Sequence, residues 1–204
     1  MLKINEIFWS IQGEGLRLGF PSIFIRVAGC SLKCPYCDTV YSWKTGKLML
    51  VDDILSEVDN YRGKYPHSQL VITGGEPLEQ DVLPLVRELK RRDYFISIET
   101  NGLYFQNLPI DWWTVSPKDI RAFSIHQDLL KKINEIKLIV NKNLTVDIIK
   151  KIREKVSKVP IFLQPDRSEK GRYKKTFSLF RQCQQKRIEN IRTGIQLHNI
   201  YKVK

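Results

Sequence analysis

The sequence predicts an α/β fold: a partial, open TIM-type barrel of about six parallel βα strands with an N-terminal strand extension. Short runs rich in β-branched and aromatic residues alternate with amphipathic helical patterns, which is typical of βα units around a parallel sheet. The chain has 204 residues, whereas a complete eightfold barrel usually needs about 250. No repeat or Ser/Gly linker interrupts the chain, so we expect a single domain over residues 1–204.

The individual elements are predicted from the hydrophobic pattern. Eight runs have strand composition: residues 3–9, 22–27, 69–72, 94–98, 112–115, 135–140, 161–163 and 194–200. Four helices are expected: one capped by Asp52 or Asp53, one with Pro77 in its first turn, one capped by Thr145, and one over about 173–187. In each helix the apolar positions share one face, which can pack against the sheet.

Composition narrows the class of protein. The hydrophobic fraction is 42% and the charged fraction is 27%, which is close to ordinary globular usage and excludes a disordered chain. No apolar run approaches the roughly 20 residues of a membrane-spanning helix, and the N-terminus lacks the apolar run of a signal peptide. We therefore expect a cytoplasmic protein that does not act in a membrane.

The net charge of +12 is concentrated in the second half of the chain, where residues 118–204 carry 22 Lys and Arg against 8 Asp and Glu. Such asymmetry is compatible with a nucleic-acid partner, a solvated basic face or a site for small anions. Nucleic acid is the less favoured alternative, because no run of five or more Lys or Arg occurs and the basic residues lie between apolar helix positions.

The most unusual segments directly follow predicted strands. They are residues 28–39, 73–77, 99–102, 116–118 and 164–166. The carboxyl ends of parallel strands open on one face of a sheet or barrel, and active sites are built there. Five clusters on one rim therefore predict an enzyme.

The most specific of these segments is the C-x₃-C-x₂-C run of Cys30, Cys34 and Cys37. A structural zinc site needs four ligands, and the remaining Cys183 lies far along the chain in a predicted helix, where we interpret it as a structural residue. Three thiolates suit a [4Fe–4S] cluster that keeps one iron open, although four cysteines are the usual complement. Structural zinc is the alternative that this spacing leaves open.

At this point the chain resembles the radical S-adenosylmethionine superfamily. The cysteine run after the first barrel strand, the aromatic Tyr36 before the last cysteine, and the Gly74-Gly75-Glu76-Pro77 segment all match its motifs. Within the superfamily, the chain is similar to the 7-carboxy-7-deazaguanine synthase family from about residue 4 to the C-terminus. The matching segments are 6–15, 24–30, 37–39, 99–102, 116–118, 163–165 and 196–198. Residues 166–168 depart from the family pattern.

This resemblance implies a reaction. The cluster would bind S-adenosylmethionine at its open iron and cleave it by one electron to a 5′-deoxyadenosyl radical. The radical would remove hydrogen at C6 of 6-carboxy-5,6,7,8-tetrahydropterin, and ring contraction with loss of ammonia would give 7-carboxy-7-deazaguanine. Such chemistry needs a closed, dry site.

The resemblance also assigns residues. Cys30, Cys34 and Cys37 would hold the cluster, and Thr39 would hold Mg²⁺. Expected contacts to S-adenosylmethionine are Tyr36, Cys37, Asp38, Gly75, Glu76, Ser116, Pro117, Lys118 and Gln164. Expected contacts to the pterin are Ile11, Gln12, Gly13, Arg26, Thr73, His198 on the last predicted strand, and Lys204.

Plainer roles remain open for some of these residues. They are a solvated strand-end cation for Arg26, turns or caps for 13–15, 38–39 and 116–117, and a core histidine for His198. The resemblance further implies an electron donor such as flavodoxin or ferredoxin, and a homodimer. Two other functions compete: an activase that generates a glycyl radical on a partner protein, and an iron–sulfur or zinc nucleic-acid-binding protein.

Overall fold

The computed structural model describes residues 1–156 and 158–204 and builds them around one nine-stranded sheet. The strand order is β3-β1-β2-β4-β5-β6-β7-β8-β9. The strands are β1 Leu2–Ile11, β2 Pro21–Val27, β3 Lys47–Met49, β4 Gln69–Gly74, β5 Ile96–Thr100, β6 Trp112–Val115, β7 Glu135–Val140, β8 Ile161–Pro165 and β9 Ile191–Thr193.

The sheet has a parallel part and an antiparallel extension. Strands β2 and β4 to β9 run parallel to one another, whereas β1 pairs antiparallel with β2 and β3 pairs antiparallel with β1. The sheet is not closed, because its two ends, β3 and β9, do not pair within the described residues. The open partial barrel with an N-terminal extension is therefore confirmed, with seven parallel strands rather than six.

Five helices accompany the sheet: α1 Val51–Lys64, α2 Leu83–Arg91, α3 Val146–Lys155, α4 Arg172–Gln185 and α5 Leu197–Tyr201. Thr145 caps α3 as predicted, since its hydroxyl accepts the Ile148 amide at 3.3 Å. The N-cap of α1 is Leu50 rather than Asp52 or Asp53. The predicted start of the next helix at Pro77 is also wrong. Residues 77–79 form a single 3₁₀ turn, and α2 begins at Leu83.

The core lies between the sheet and the helices. Its largest fully buried side chains are aliphatic and come from β2, β4, β5 and β7, from α1 and α2, and from Leu129 in the turn before β7. Strands covered on both faces read as continuous apolar runs, which explains why the central strands were recognisable in the sequence. No helix among the described residues is long and apolar enough to cross a membrane.

The last predicted strand, residues 194–200, is wrong. Strand β9 ends at Thr193, and the residues that follow turn into the short helix α5. The reason is a contact distant in sequence: the amide of Leu197 donates to the carbonyl of Gly13 at 2.9 Å. That bond draws the segment out of the sheet and across the open side of the barrel, and it places His198 on a helix.

Candidate active site

A cavity of about 430 Å³ opens at the carboxyl ends of the parallel strands. Its walls come from the loops after β2, β4, β5, β6 and β8, from the inward faces of β2, β4, β5 and β7, and from the C-terminal segment. This volume is in the range of pockets that enclose small molecules and cofactors. The rim predicted from the sequence therefore exists as a single site.

One wall is the segment after β2, residues 30–39, which we call the cluster loop. Cys30, Cys34 and Cys37 all line the cavity and are free thiols. Burial raises the pKa of the Cys30 and Cys34 thiols. No three His, Cys, Asp or Glu side chains in the described part of the chain converge on a point that one metal ion could occupy.

The three cysteines fit an iron–sulfur cluster. A structural zinc site takes four ligands, whereas the cysteines of a cluster each bind a different iron, so that three of them leave one iron open. All three thiols line the same cavity. The residues present therefore fit the cluster that the cysteine spacing predicts.

The turn after β4 lies directly against the start of the cluster loop. The Gly75 amide donates to the Val27 carbonyl at 2.9 Å, and the Glu76 amide donates to the Gly29 carbonyl at 2.7 Å. A Cβ at Gly75 would lie 1.8 Å from the Gly29 carbonyl oxygen, so only glycine allows this approach. The two motifs recognised in the sequence thus form one continuous wall.

Glu76 is the buried acid of this wall, with 1% of its surface exposed. One carboxylate oxygen accepts the Thr100 hydroxyl at 2.6 Å, and the other accepts the Asn101 amide at 2.7 Å. Burial nevertheless dominates and raises the pKa of Glu76 to about 7. A buried carboxyl of this kind is suited to bind an ammonium group, which would restore its charge.

A second part of the lining is a layer of polar side chains on and beside the barrel strands. Arg26 on β2 is the register partner of Thr73 on β4, and the Thr73 hydroxyl donates to Glu99 on β5 at 3.0 Å. The Gln12 amide donates to the other oxygen of Glu99 at 3.1 Å. This layer offers donors and acceptors to a polar ligand in the centre of the barrel.

A buried ion network forms the floor. Lys137 on β7 donates to Glu14 at 2.7 Å and to Glu99 at 3.1 Å, and only 8% of its side chain is exposed. Burial alone would lower the pKa of Lys137, but the two carboxylates outweigh it and raise the pKa. Lys137 in turn outweighs the effect of burial on Glu99 and lowers the pKa of that acid. Lys137 and Glu99 are therefore both charged.

The C-terminal segment closes the open side of the barrel. A Cβ at Gly13 would lie 2.0 Å from Nδ1 of His198, so the imidazole packs directly on the backbone before Glu14. The Gln196 amide donates to Glu14 at 2.8 Å. Lys204 donates to Glu6 at 2.6 Å, and Glu6 accepts the Arg26 guanidinium at 3.0 Å.

The cavity gathers nearly all of the predicted site residues. Those that line it are Ile11, Gln12, Gly13, Arg26, Cys30, Cys34, Tyr36, Cys37, Asp38, Thr39, Thr73, Gly75, Glu76, Ser116, Lys118, His198 and Lys204. Pro117 is buried and does not line it. Gln164 lines a smaller adjoining cavity of about 210 Å³ instead.

One buried amide of this cavity and one of the adjoining cavity have atoms that are unpaired within the described structure and that a ligand could satisfy. Both side-chain amide atoms of Gln164, and Nδ2 of Asn101, have no hydrogen-bond partner among the described residues. Unpaired buried polar groups are rare and costly. Both lie at carboxyl ends of barrel strands, where a nucleoside-like cofactor such as S-adenosylmethionine can supply the missing partners.

Three functional candidates were not assigned from the sequence: Glu14, Glu99 and Lys137. Lys137 had a visible signal, because it is the one charged residue inside the otherwise apolar run Ile136–Val140. An unpaired lysine is expensive to bury, so such a lysine predicts acidic partners. Their identity follows only from the fold, since Glu14 is 123 residues away in the sequence.

Comparisons with known proteins agree with this geometry. The family model of the radical SAM superfamily matches residues 24–159. The 7-carboxy-7-deazaguanine synthase of Rickettsia prowazekii is 38% identical over 171 residues, which cover 80% of this chain and 72% of that protein. The enzyme of the same name from Aquifex aeolicus is 31% identical over 216 residues, covering 100% of this chain and 95% of that protein.

The solved structure of QueE from Escherichia coli superposes with a TM-score of 0.75 at 30% identity, covering 97% of this chain and 94% of that one. The match therefore includes the barrel, the N-terminal extension and nearly all of the residues that line the cavity. The chain belongs to the radical SAM superfamily and, within it, to the family of 7-carboxy-7-deazaguanine synthases.

Proposed function

We propose that this enzyme converts 6-carboxy-5,6,7,8-tetrahydropterin to 7-carboxy-7-deazaguanine with loss of ammonia, a step that supplies precursors of 7-deazapurines such as queuosine. The observation that carries the proposal is the composition of the cavity. The three cysteines of the cluster loop face the same space as an inward layer of Arg26, Thr73 and Glu99. The same cavity can therefore hold a cluster for one-electron chemistry and bind a polar heterocycle.

The cofactor side is formed by the cluster loop and the turn after β4. Cys30, Cys34 and Cys37 would hold the cluster, and Glu76 would accept the ammonium group of S-adenosylmethionine. When bound, the cluster and S-adenosylmethionine supply one-electron bond cleavage and the hydrogen abstraction that follows. The surrounding chain would exclude water from that step.

The substrate side is formed by the polar layer and the floor. The Arg26 guanidinium can pair with the substrate carboxylate through two parallel hydrogen bonds. The carboxyl groups of Glu99 and Glu14 can accept N–H groups of the pterin edge, and the Gln12 amide can both donate and accept. Lys137 would keep the Glu99 carboxylate charged while it does so.

We also propose that Thr39 binds Mg²⁺ beside the docked carboxylate. Its hydroxyl lines the cavity, and its one hydrogen-bonding contact among the described residues is Sγ of Cys37 at 3.5 Å. Mg²⁺ retains several waters and takes few protein ligands, so one hydroxyl is sufficient. Chelation should lower turnover, added Mg²⁺ should restore it, and Thr39→Ala should weaken this dependence without changing the iron content.

We propose further that the enzyme is a cytoplasmic homodimer served by a protein electron donor such as flavodoxin or ferredoxin. Free cysteines suit a reducing compartment. Lys33 and Pro35 of the cluster loop are exposed to solvent, so a donor can approach the loop there. The exposed aromatic side chains Tyr173 and Phe177 on α4 offer an apolar surface to a second copy, and sedimentation would measure the oligomeric state.

The deciding experiment incubates reconstituted, reduced enzyme with S-adenosylmethionine, Mg²⁺ and 6-carboxy-5,6,7,8-tetrahydropterin. We expect 7-carboxy-7-deazaguanine and ammonia in equal amounts, with S-adenosylmethionine regenerated rather than consumed. Cleavage of S-adenosylmethionine without any deazaguanine would contradict the proposal and favour the activase. Salt-dependent retention on RNA or DNA together with no turnover would favour the nucleic-acid-binding protein.

A further inference from the structure

A carboxylate ties the cluster loop to the segment that follows β6. The Tyr36 hydroxyl of the loop donates to Oδ1 of Asp119, which follows β6. Strands β4 and β5 lie between β2 and β6 in the sheet, so this bond joins loops of strands that are not neighbours. Asp119 itself does not line the cavity, whereas the Tyr36 ring does.

Asp119 is held by a third loop as well. Its Oδ2 accepts the side-chain amides of Asn141 at 2.9 Å and Asn143 at 2.6 Å, both in the loop after β7. Its Oδ1 also accepts the backbone amide of Ile120 at 2.8 Å. Burial opposes the charge, but the bonds from Tyr36, Asn143, Ile120 and Asn141 outweigh it and lower the pKa of Asp119.

We propose that Asp119 is a positioning residue for the cluster loop, which it holds over the mouth of the cavity through the Tyr36 ring. Tyr36 lies between Cys34 and Cys37 in the sequence, so fixing the ring also fixes the spacing of two cluster ligands. The inference rests on the proposed function, because it assigns Asp119 a role toward the cluster and S-adenosylmethionine. Preorganised supporting residues of this kind lower the cost of ordering a site.

The first test uses metal-free protein and hydrogen exchange of the backbone amides of residues 34–39, apart from Pro35, which has no amide hydrogen. Tyr36→Phe removes a hydrogen bond to a charged group. The free energy lost with that bond should speed exchange at these amides about tenfold. Asp119→Asn keeps the size of the side chain but turns an amide toward Asn141 and Asn143, and it should act in the same direction. Asn143→Ala should have a smaller effect.

A matched control is available on the outside of the barrel. The Tyr94 hydroxyl donates to Asp59 at 2.9 Å, which is the same pair of groups remote from the cavity. Tyr94→Phe should lower Tm by about as much as Tyr36→Phe does, but it should leave exchange at residues 34–39 unchanged. Equal exchange in Tyr36→Phe and wild type would overturn the proposal.

The second test uses reconstituted enzyme. Tyr36→Phe and Asp119→Asn should raise KM for S-adenosylmethionine about tenfold with a smaller change in kcat, and Tyr94→Phe should change neither. Unchanged KM in both Tyr36→Phe and Asp119→Asn would also overturn the role of Asp119. If wild-type enzyme makes no 7-carboxy-7-deazaguanine, the proposed function fails, whereas the exchange comparison still decides whether Asp119 holds the loop.

Discussion

Lys137 illustrates how single residues of this site depend on one another. Its ammonium group bridges the carboxyl groups of Glu14 and Glu99. Removing one partner of a buried ion pair leaves an uncompensated charge, which is strongly destabilising. Lys137 therefore keeps the Glu99 carboxylate ionised, and the role we propose for that acid is to accept N–H groups of the pterin.

The cluster ligands give the first prediction at this scale. Cys30→Ala, Cys34→Ala or Cys37→Ala should each abolish cluster binding and turnover, because three ligands leave no redundancy. Iron content and visible absorbance after reconstitution measure this. Cys183 is fully buried on α4, away from the cavity, and Cys183→Ala is the control that should retain the cluster. Loss of iron in Cys183→Ala would contradict the three-ligand assignment.

Arg26 gives the second prediction. Arg26→Ala should weaken pterin binding by about 1.5–3 kcal/mol, the value of a hydrogen bond to a charged group, and cleavage of S-adenosylmethionine without pterin should survive. Arg62→Ala is a matched control, since Arg62 stacks on Tyr94 at 4.2 Å outside the cavity. Equal loss of both activities in Arg26→Ala would mean that Arg26 supports the cluster loop instead.

Glu76 gives a pH dependence. Its pKa is about 7 in the folded protein against an ordinary value of 4.5, so between these values the unfolded chain releases a proton that the folded chain retains. The free energy of unfolding should therefore fall by about 3 kcal/mol as pH rises from about 4.5 to 7. Urea titrations of metal-free protein should show this slope in wild type and not in Glu76→Gln. Parallel curves would refute the assignment.

At the scale of elements, local pattern predicted the central strands and three of the helices well. It failed at the C-terminus, because residues 194–200 are β-branched enough to read as a strand but are drawn away by the Leu197–Gly13 bond. It also missed β3, which is three residues long and defined by pairing with β1. Contacts distant in sequence decided both cases, and no window of sequence contains them.

The C-terminal segment is the element whose removal tests the closed cavity. Deleting residues 196–204 should preserve the fold, because every strand of the sheet precedes the deletion. The lining from His198, Val203 and Lys204 would be lost, and KM for the pterin should rise while abortive cleavage of S-adenosylmethionine increases. Circular dichroism would verify the fold. Unchanged KM and unchanged product yield would show that the segment does not enclose the substrate.

At the scale of the whole molecule, the excess of positive charge lies away from the candidate active site. Among the described residues, the charged ones that line the cavity are balanced: five are basic (Arg26, Lys118, Lys137, Arg167 and Lys204) and five are acidic (Glu14, Asp38, Glu76, Glu99 and Asp166). The excess of basic residues in 118–204 lies largely outside it, for example in the exposed Lys150, Lys151 and Lys155 of α3. The number of basic residues could be counted in the sequence, but the side of the fold on which each one lies could not be predicted. Only the fold distinguishes the inward Lys137 from the outward lysines.

This separation predicts how a protein donor is recognised. If the donor is the acidic flavodoxin or ferredoxin that we propose, a basic exterior should steer it toward the enzyme, and salt screens that attraction over about 10 Å at 0.1 M. Turnover at low donor concentration should therefore fall as salt is added, whereas turnover with excess dithionite should change much less. The double variant Lys150→Glu/Lys151→Glu should slow only the donor-dependent rate if α3 contributes to the steering field. A donor-dependent rate that does not respond to salt would refute electrostatic recognition and assign the basic face to solubility alone.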